Sequence, residues 1–205
     1  MSAQVALCNC AAPEERRLLR VLFLRHRKMP ADADEFWLLR DRELVTSNTG
    51  VSVRLLQAAT AHEWDEARRL VREYAASLNV DLSFQNFDAE LQHFTIEYAA
   101  PRGAFILAAE AGRYLACIGL RPFSEDTGEI KRLYVVPAAR GRGFGRLLVE
   151  RSIAIARDIG YRSLLLDTLP FMQDAQALYG SLGFKPTTPY RFNPIAGSAF
   201  LRLDL

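Results

Sequence analysis

The chain has 205 residues, of which 50% are hydrophobic and 24% charged, with a formal charge of +2. That balance offers no bulk electrostatic attraction for nucleic acid or a membrane surface, and three cysteines make no disulfide framework. The length suits one domain of ~150 residues with an appendage, and no apolar run reaches the ~18 residues of a spanning helix.

Residues 1–50 read as an N-terminal extension, poorly ordered or carrying short helices. The start lacks the basic stretch of a secretory signal, so a cytoplasmic setting is expected. Cys8 and Cys10 have no second Cys or His pair at zinc spacing, and no metal is expected. A basic patch runs from Arg16 to Lys28, residues 31–44 form a second amphipathic piece, and residues 46–50 form a turn or linker. A single domain is expected over 51–205.

From Val51 the periodicities sharpen. VSVRLL alternates as a strand. Thr60 can then cap a helix whose apolar face is Trp64, Ala67, Val71, Tyr74 and Leu78, spaced three and four apart. A loop follows, then a short helix over FDAELQHF. Pro101 to Gly103 mark a turn. AFILAAE and RYLACIGLR are two strands joined at Ala111-Gly112, a hairpin signal. Cys117 falls in the second of them as a small buried hydrophobe.

The next strand holds Glu129, Ile130, Lys131, Arg132, Leu133, Tyr134 and Val135 and stops at Pro137. Then come three alternate glycines, Gly141, Gly143 and Gly145, with Arg140, Arg142 and Arg146 around them, and a long helix that ends at Gly160. Glycines let the backbone approach a ligand, and free amides at a helix N-terminus attract anions, so this strand, turn and helix predict a pyrophosphate cradle. YRSLLLDTL is a buried-type strand. A helix with Ala175, Leu178, Tyr179 and Leu182 on one face follows, and one or two strands end the chain. The order β-α-α-β-β-β-α-β-α-β-β argues for an α/β mixed sheet with helices on both faces.

Two motifs in that order, Arg140-Gly141-Arg142-Gly143-Phe144-Gly145 and Ala175-x-x-x-Tyr179-x-x-x-Gly183-Phe184, resemble those of the GNAT superfamily of acetyl-CoA-dependent N-acetyltransferases. The resemblance spans about residues 51–205. It departs at Met172, where many members carry the asparagine of a helix-capping or cofactor-side contact. It implies a mixed, mostly antiparallel sheet of six to seven strands, with a parallel pair splayed at strands four and five.

The resemblance further implies direct acyl transfer from acetyl-CoA to an amine through a ternary complex. Arg140, Gly141, Arg142, Gly143, Phe144, Gly145 and Arg146 would hold the diphosphate, and the backbone of Leu133, Tyr134 and Val135 the pantetheine. Tyr179 would be the general acid for the thiolate; spacing alone favours a core aromatic on the apolar face of its helix. Glu129 would be the base for an amine of pKa near ~10, or else a surface carboxylate beside Lys131 and Arg132. Phe84, Phe87, Asp88, Asp167 and Tyr190 are candidates for the acceptor side, with Glu90 and Asp81 as further acids. The expected acceptor is a small-molecule amine, amino-acid-like in the case of an aromatic and acidic site. A protein N-terminus or lysine, or a non-catalytic acetyl-CoA-binding module, are the alternatives. No nucleic-acid or membrane partner is expected, and a homodimer is compatible with the chain.

Overall fold

The computed structural model describes residues 42–46, 52–78, 80 and 83–205. The readings made on residues 1–41 and 47–50, including Cys8, Cys10 and the basic patch, lie outside the described residues, as does Asp81.

The sheet grows outward from β3 (Ala104–Glu110) and β4 (Arg113–Pro122), the hairpin expected at Ala111-Gly112. Both turn residues take left-handed backbone, φ 48° and 78°, which matches the twist of the flanking strands. On one face of β3, Phe105, Leu107 and Ala109 pack beneath α1 (Ala61–Leu78) and α3 (Phe94–Tyr98). On the other, Ala104, Ile106 and Ala108 pack against α4 (Phe144–Ile159). Two covered faces explain why AFILAAE is continuously apolar rather than alternating.

Among the described residues eight strands make one sheet, in the order β1-β2-β3-β4-β5-β6-β8-β7. The other strands are β1 (Arg42–Thr46), β2 (Ser52–Gln57), β5 (Thr127–Val135), β6 (Ser163–Thr168), β7 (Lys185–Pro186) and β8 (Ala199–Asp204). Every pairing is antiparallel except β5 with β6. These are the fourth and fifth strands of the expected order, displaced by one because β1 (Arg42–Thr46) precedes them. β1 lies in the segment read as extension, where residues 31–44 suggested a helical piece. It runs antiparallel to β2, Arg42 opposite Leu56 and Thr46 opposite Ser52. An unpaired edge of β2 would otherwise present a row of open amides and carbonyls.

α1 begins as its sequence predicts. The Glu63 carboxylate accepts from the amides of Ala59 and Thr60, both at 3.0 Å, and the Glu63 amide donates to Thr60 Oγ1 at 3.3 Å, a reciprocal capping box. Thr60→Ala should therefore lower stability by about 1 kcal/mol, read as a shifted urea midpoint with an unchanged slope. The single helix expected over FDAELQHF is two, α2 (Phe87–Gln92) and α3. Between them, the amide and the ring Nδ1 of His93 both meet the Ala89 carbonyl at 3.0 Å, capping α2 instead of continuing it. α5 (Gln173–Ser181) packs by the start of α4, where a Cβ at Gly145 would lie 3.3 Å from Leu178. Among the described residues no helix is long and apolar enough to cross a membrane.

Candidate active site

The site follows from where β5 and β6 stop pairing. They are in register at Thr127–Ser163, Gly128–Leu164 and Glu129–Leu165, and the pairing ends there. On its other side β5 carries a bulge against β4: Cys117 faces Tyr134 and Gly119 faces Lys131, so β5 spends one more residue than its partner. Arg132 in that bulge has φ 58°, the left-handed region a non-glycine residue seldom adopts. A bulge bends its strand and re-aims side chains. Four consecutive residues, Ile130, Lys131, Arg132 and Leu133, consequently line one cleft.

That cleft opens between the parted strands and is continuous with solvent. Asp167, Thr168 and Leu169 from the end of β6 form the wall opposite β5. Tyr74, Leu78 and Gln85 close it from the α1 side, and Met172, Ala175 and Tyr179 from the α5 side. Tyr179 is buried, with its ring 5.6 Å from that of Phe184. Burial pushes its phenol well above the ordinary value, so the group stays protonated at neutral pH and can donate. Tyr74 faces the same cleft, its phenol pushed up to about 12 by burial.

Beneath the cleft lies a buried ionic cluster. Glu129 is 1% exposed, which removes the surface-carboxylate reading. Its Oε2 accepts from Arg121 Nε at 3.0 Å, and its Oε1 accepts from the Tyr190 hydroxyl at 3.1 Å and pairs with Arg191. Arg132 donates to both oxygens of Glu90, at 2.9 and 2.6 Å, and to Gln85 Oε1 at 3.0 Å, with its guanidinium 5.0 Å from the Phe87 ring centroid. Tyr98 donates to Glu90 at 2.8 Å, and Arg121 also pairs with Glu97. Lys131 donates to Asp167 Oδ1 at 3.2 Å and Gln85 Oε1 at 3.4 Å. Asn193 donates to Asp167 Oδ2 at 3.1 Å.

Burial pulls the Lys131 ammonium below the ordinary lysine value, opposed by the charges of Glu129 and Asp167. Burial would raise the Asp167 carboxyl, but the charges of Lys131 and Arg191 and the bonds from Lys131 and Asn193 hold it below the usual carboxylate range. Tyr190, Arg191 and Asn193 thereby tie the segment between β7 and β8 to the sheet.

At the C-terminal end of β5 a 3₁₀ turn over Pro137–Ala139 leads to the glycines. Gly141 has φ 73° and Gly143, the N-cap of α4, φ 88°. A Cβ at Gly141 would meet nothing within 4 Å, so its backbone conformation, not crowding, calls for glycine there. α4 has no side-chain cap and no acid in its first turn. Its first backbone bond runs from Leu147 to the Gly143 carbonyl, which leaves the amides of its first residues for another acceptor. Arg140 donates to the Val135 carbonyl at 3.1 Å, Arg142 pairs with Glu110, and Arg146 donates to Ser181 at 2.6 Å.

Of the residues expected from the sequence, Leu133, Tyr179 and Asp167 meet in the cleft, and Glu129 lies under it. Tyr134 and Val135 continue β5, with the Tyr134 ring buried on the α1 side, 6.0 Å from Tyr74. Phe84 and Phe87 pack in the small cluster around Leu78 and Leu169 instead of lining the cleft. Asp88 is exposed on α2, away from the lining. Sequence reasoning missed Tyr74, Gln85 and Lys131. Helical spacing assigned Tyr74 to a plain core face, but a signal for Lys131 was present: three charges, Glu129, Lys131 and Arg132, interrupt a strand whose neighbours are apolar.

Comparison with known proteins bears on the family and the fold. The profile of the acetyltransferase (GNAT) family matches residues 53–184. An uncharacterized N-acetyltransferase of Schizosaccharomyces pombe is 41% identical over 143 residues, covering 69% of this chain and 88% of that protein. An acetyltransferase structure from Streptococcus agalactiae superimposes with a TM-score of 0.62 at 21% identity, covering 75% of this chain and 98% of its own. A chain from Salmonella typhimurium, solved with its cofactor acetyl-CoA, gives a TM-score of 0.53 at 19% identity, covering 74% and 93%.

Proposed function

The chain belongs to the acetyltransferase (GNAT) family and is an acyltransferase, and on that premise we propose that it moves the acetyl group of acetyl-CoA to the amine of a small, amino-acid-like acceptor by direct transfer in a ternary complex. One observation carries this reading: β5 and β6 part beyond Glu129 and Leu165, opening a cleft with Tyr179 on one wall and an uncapped helix N-terminus at the end of the same strand.

The residues present fit acetyl-CoA. Free amides over Gly141 to Arg146 suit its diphosphate, with Arg140, Arg142 and Arg146 adding charge. The edge of β5 that β6 has left, over Leu133 to Val135, offers backbone groups to the pantetheine amides, as an edge strand does to an added strand. Bound there, acetyl-CoA supplies an activated thioester carbonyl. A β5 amide would polarise that carbonyl, and Tyr179 would hold the proton that the leaving sulfur takes. Glu129 enters the proposal through Tyr190 and Arg191, which it anchors. To act as the base it would first have to release one of those donors. Asp167 lines the acceptor side, and Tyr190, Phe84 and Phe87 support that side from behind. Asp88 is left on the surface, and a homodimer is one arrangement the chain could adopt.

Free-thiol release from acetyl-CoA, measured across amines, amino acids, polyamines and peptides, tests the reading. Release with small amines and not with peptides is expected. Acetyl-CoA binding without thiol release from any acceptor would overturn it in favour of a binding module.

A further inference from the structure

The ion pair of Lys131 and Asp167 has both members on the cleft wall, and neither has spent its full hydrogen-bonding capacity. A lysine ammonium has three N–H donors. Lys131 gives one to Asp167 at 3.2 Å and one to Gln85 at 3.4 Å, while Glu129 at 4.0 Å is beyond hydrogen-bond reach. One donor is left. A carboxylate has about four acceptor sites. Asp167 uses Oδ1 for Lys131 and Oδ2 for Asn193 at 3.1 Å and Gln85 at 3.5 Å. One site remains, on Oδ1 beside the lysine. The cleft therefore presents a positive and a negative group side by side, each held from behind by further polar partners.

The charges around them restrict what can bind. Arg121, Lys131, Arg132 and Arg191 face Glu90, Glu97, Glu129 and Asp167 in one connected cluster, so the cations and anions balance. A ligand with net charge would leave an uncompensated charge at low dielectric, which is costly; one whose own charges cancel would not.

We propose, on the basis of the transfer reading above, that the acceptor is a zwitterionic amino acid, with its carboxylate on the free donor of Lys131 and its ammonium on the free acceptor site of Asp167. The ammonium gives one proton to solvent and attacks as the amine. The N–C bond forms as the C–S bond breaks, the sulfur takes the proton held by Tyr179, and the nitrogen's other surplus proton restores that tyrosine. The sum is N-acetyl amino acid, free CoA and one proton. Lys131 and Asp167 are thus the residues that select the substrate class.

Matched acceptors test this: an L-amino acid, its carboxamide and the amine lacking the carboxyl group, each assayed with wild type and with Lys131→Met and Lys131→Arg. In the wild type, loss of the carboxylate should lower kcat/KM by about 10- to 100-fold, mostly through KM. In Lys131→Met that ratio should collapse toward one, while acetyl-CoA affinity by calorimetry holds; Lys131→Arg, which keeps the charge, should retain the preference. Because the ratio is taken within one variant, a smaller folded fraction cancels out of it. Equal use of the three acceptors by wild type, or a ratio that survives Lys131→Met, would overturn the inference and leave acetyl transfer standing. No thiol release from any acceptor would overturn the transfer reading itself and the inference with it.

Discussion

Tyr179→Phe should lower kcat by about 10²- to 10⁴-fold, the usual worth of a positioned general acid, while acetyl-CoA affinity stays nearly unchanged. The substitution removes one oxygen and keeps the ring, whose packing against Phe184 survives. The glycine turn at the head of α4 belongs to another element and is untouched. Among the described residues no hydrogen bond ties the Tyr179 hydroxyl to the protein, so folding should hardly register its loss. Burial raises the phenol, so the proton stays in place as pH rises through ~10, where an ordinary tyrosine ionises. The wild-type kcat should accordingly show no alkaline fall near that value that Tyr179→Phe lacks. Steady-state kinetics with calorimetric titration of acetyl-CoA decide the matter: undiminished turnover in the variant would remove Tyr179 from the chemistry.

Arg132→Met should produce the largest loss of stability. Arg132 and Glu90 are each 2% exposed and share two hydrogen bonds. Removing the guanidinium strands a buried carboxylate with only the Tyr98 hydroxyl at 2.8 Å and Arg121 at 4.0 Å. Breaking such a pair from one side costs about 3–5 kcal/mol, measured by urea denaturation. The double variant Glu90→Leu, Arg132→Met should recover most of that, since it leaves no charge unpaired.

The pH dependence of this loss has a definite sign. In the wild type burial would raise the Glu90 carboxyl, but the bonds and charge of Arg132 outweigh it and hold the group below its ordinary range. Its contribution is complete above the unfolded value of ~4.3 and is lost as pH falls through the folded value. In Arg132→Met burial acts with far less opposition and the carboxyl is raised. The folded variant then binds a proton first and gains stability as pH falls from neutral. The gap between the two proteins should narrow toward acid; a gap that widened would show that Glu90 is not the buried charge responsible.

The sequence by itself determined the layered α/β architecture and the ends of the site. Alternation in VSVRLL, the three-four spacing of α1 and the unbroken apolar run of β3 are local consequences of what each element must bury. The glycines at 141 and 143 carry their backbone conformation in their identity, and Thr60 with Glu63 spells a helix start. Ala175, Tyr179, Gly183 and Phe184 pointed to the cleft through family likeness alone, because a tyrosine on a helix face reads the same in a core or over a substrate.

Only the tertiary structure decided what the charged residues do. Glu129, Lys131 and Arg132 follow one another in a strand whose regular geometry would send them to alternate faces. The bulge at Arg132, set by pairing with β4, instead turns Lys131 and Arg132 toward the opening left by β6. Their partners Glu90, Asp167, Tyr190 and Arg191 lie far away along the chain and share no spacing with them. The strength of an ion pair depends on desolvation and distance, and neither is written in the order of residues. Strand pairing supplies both, by holding the start of β5 between β4 and β6 and parting its end from β6.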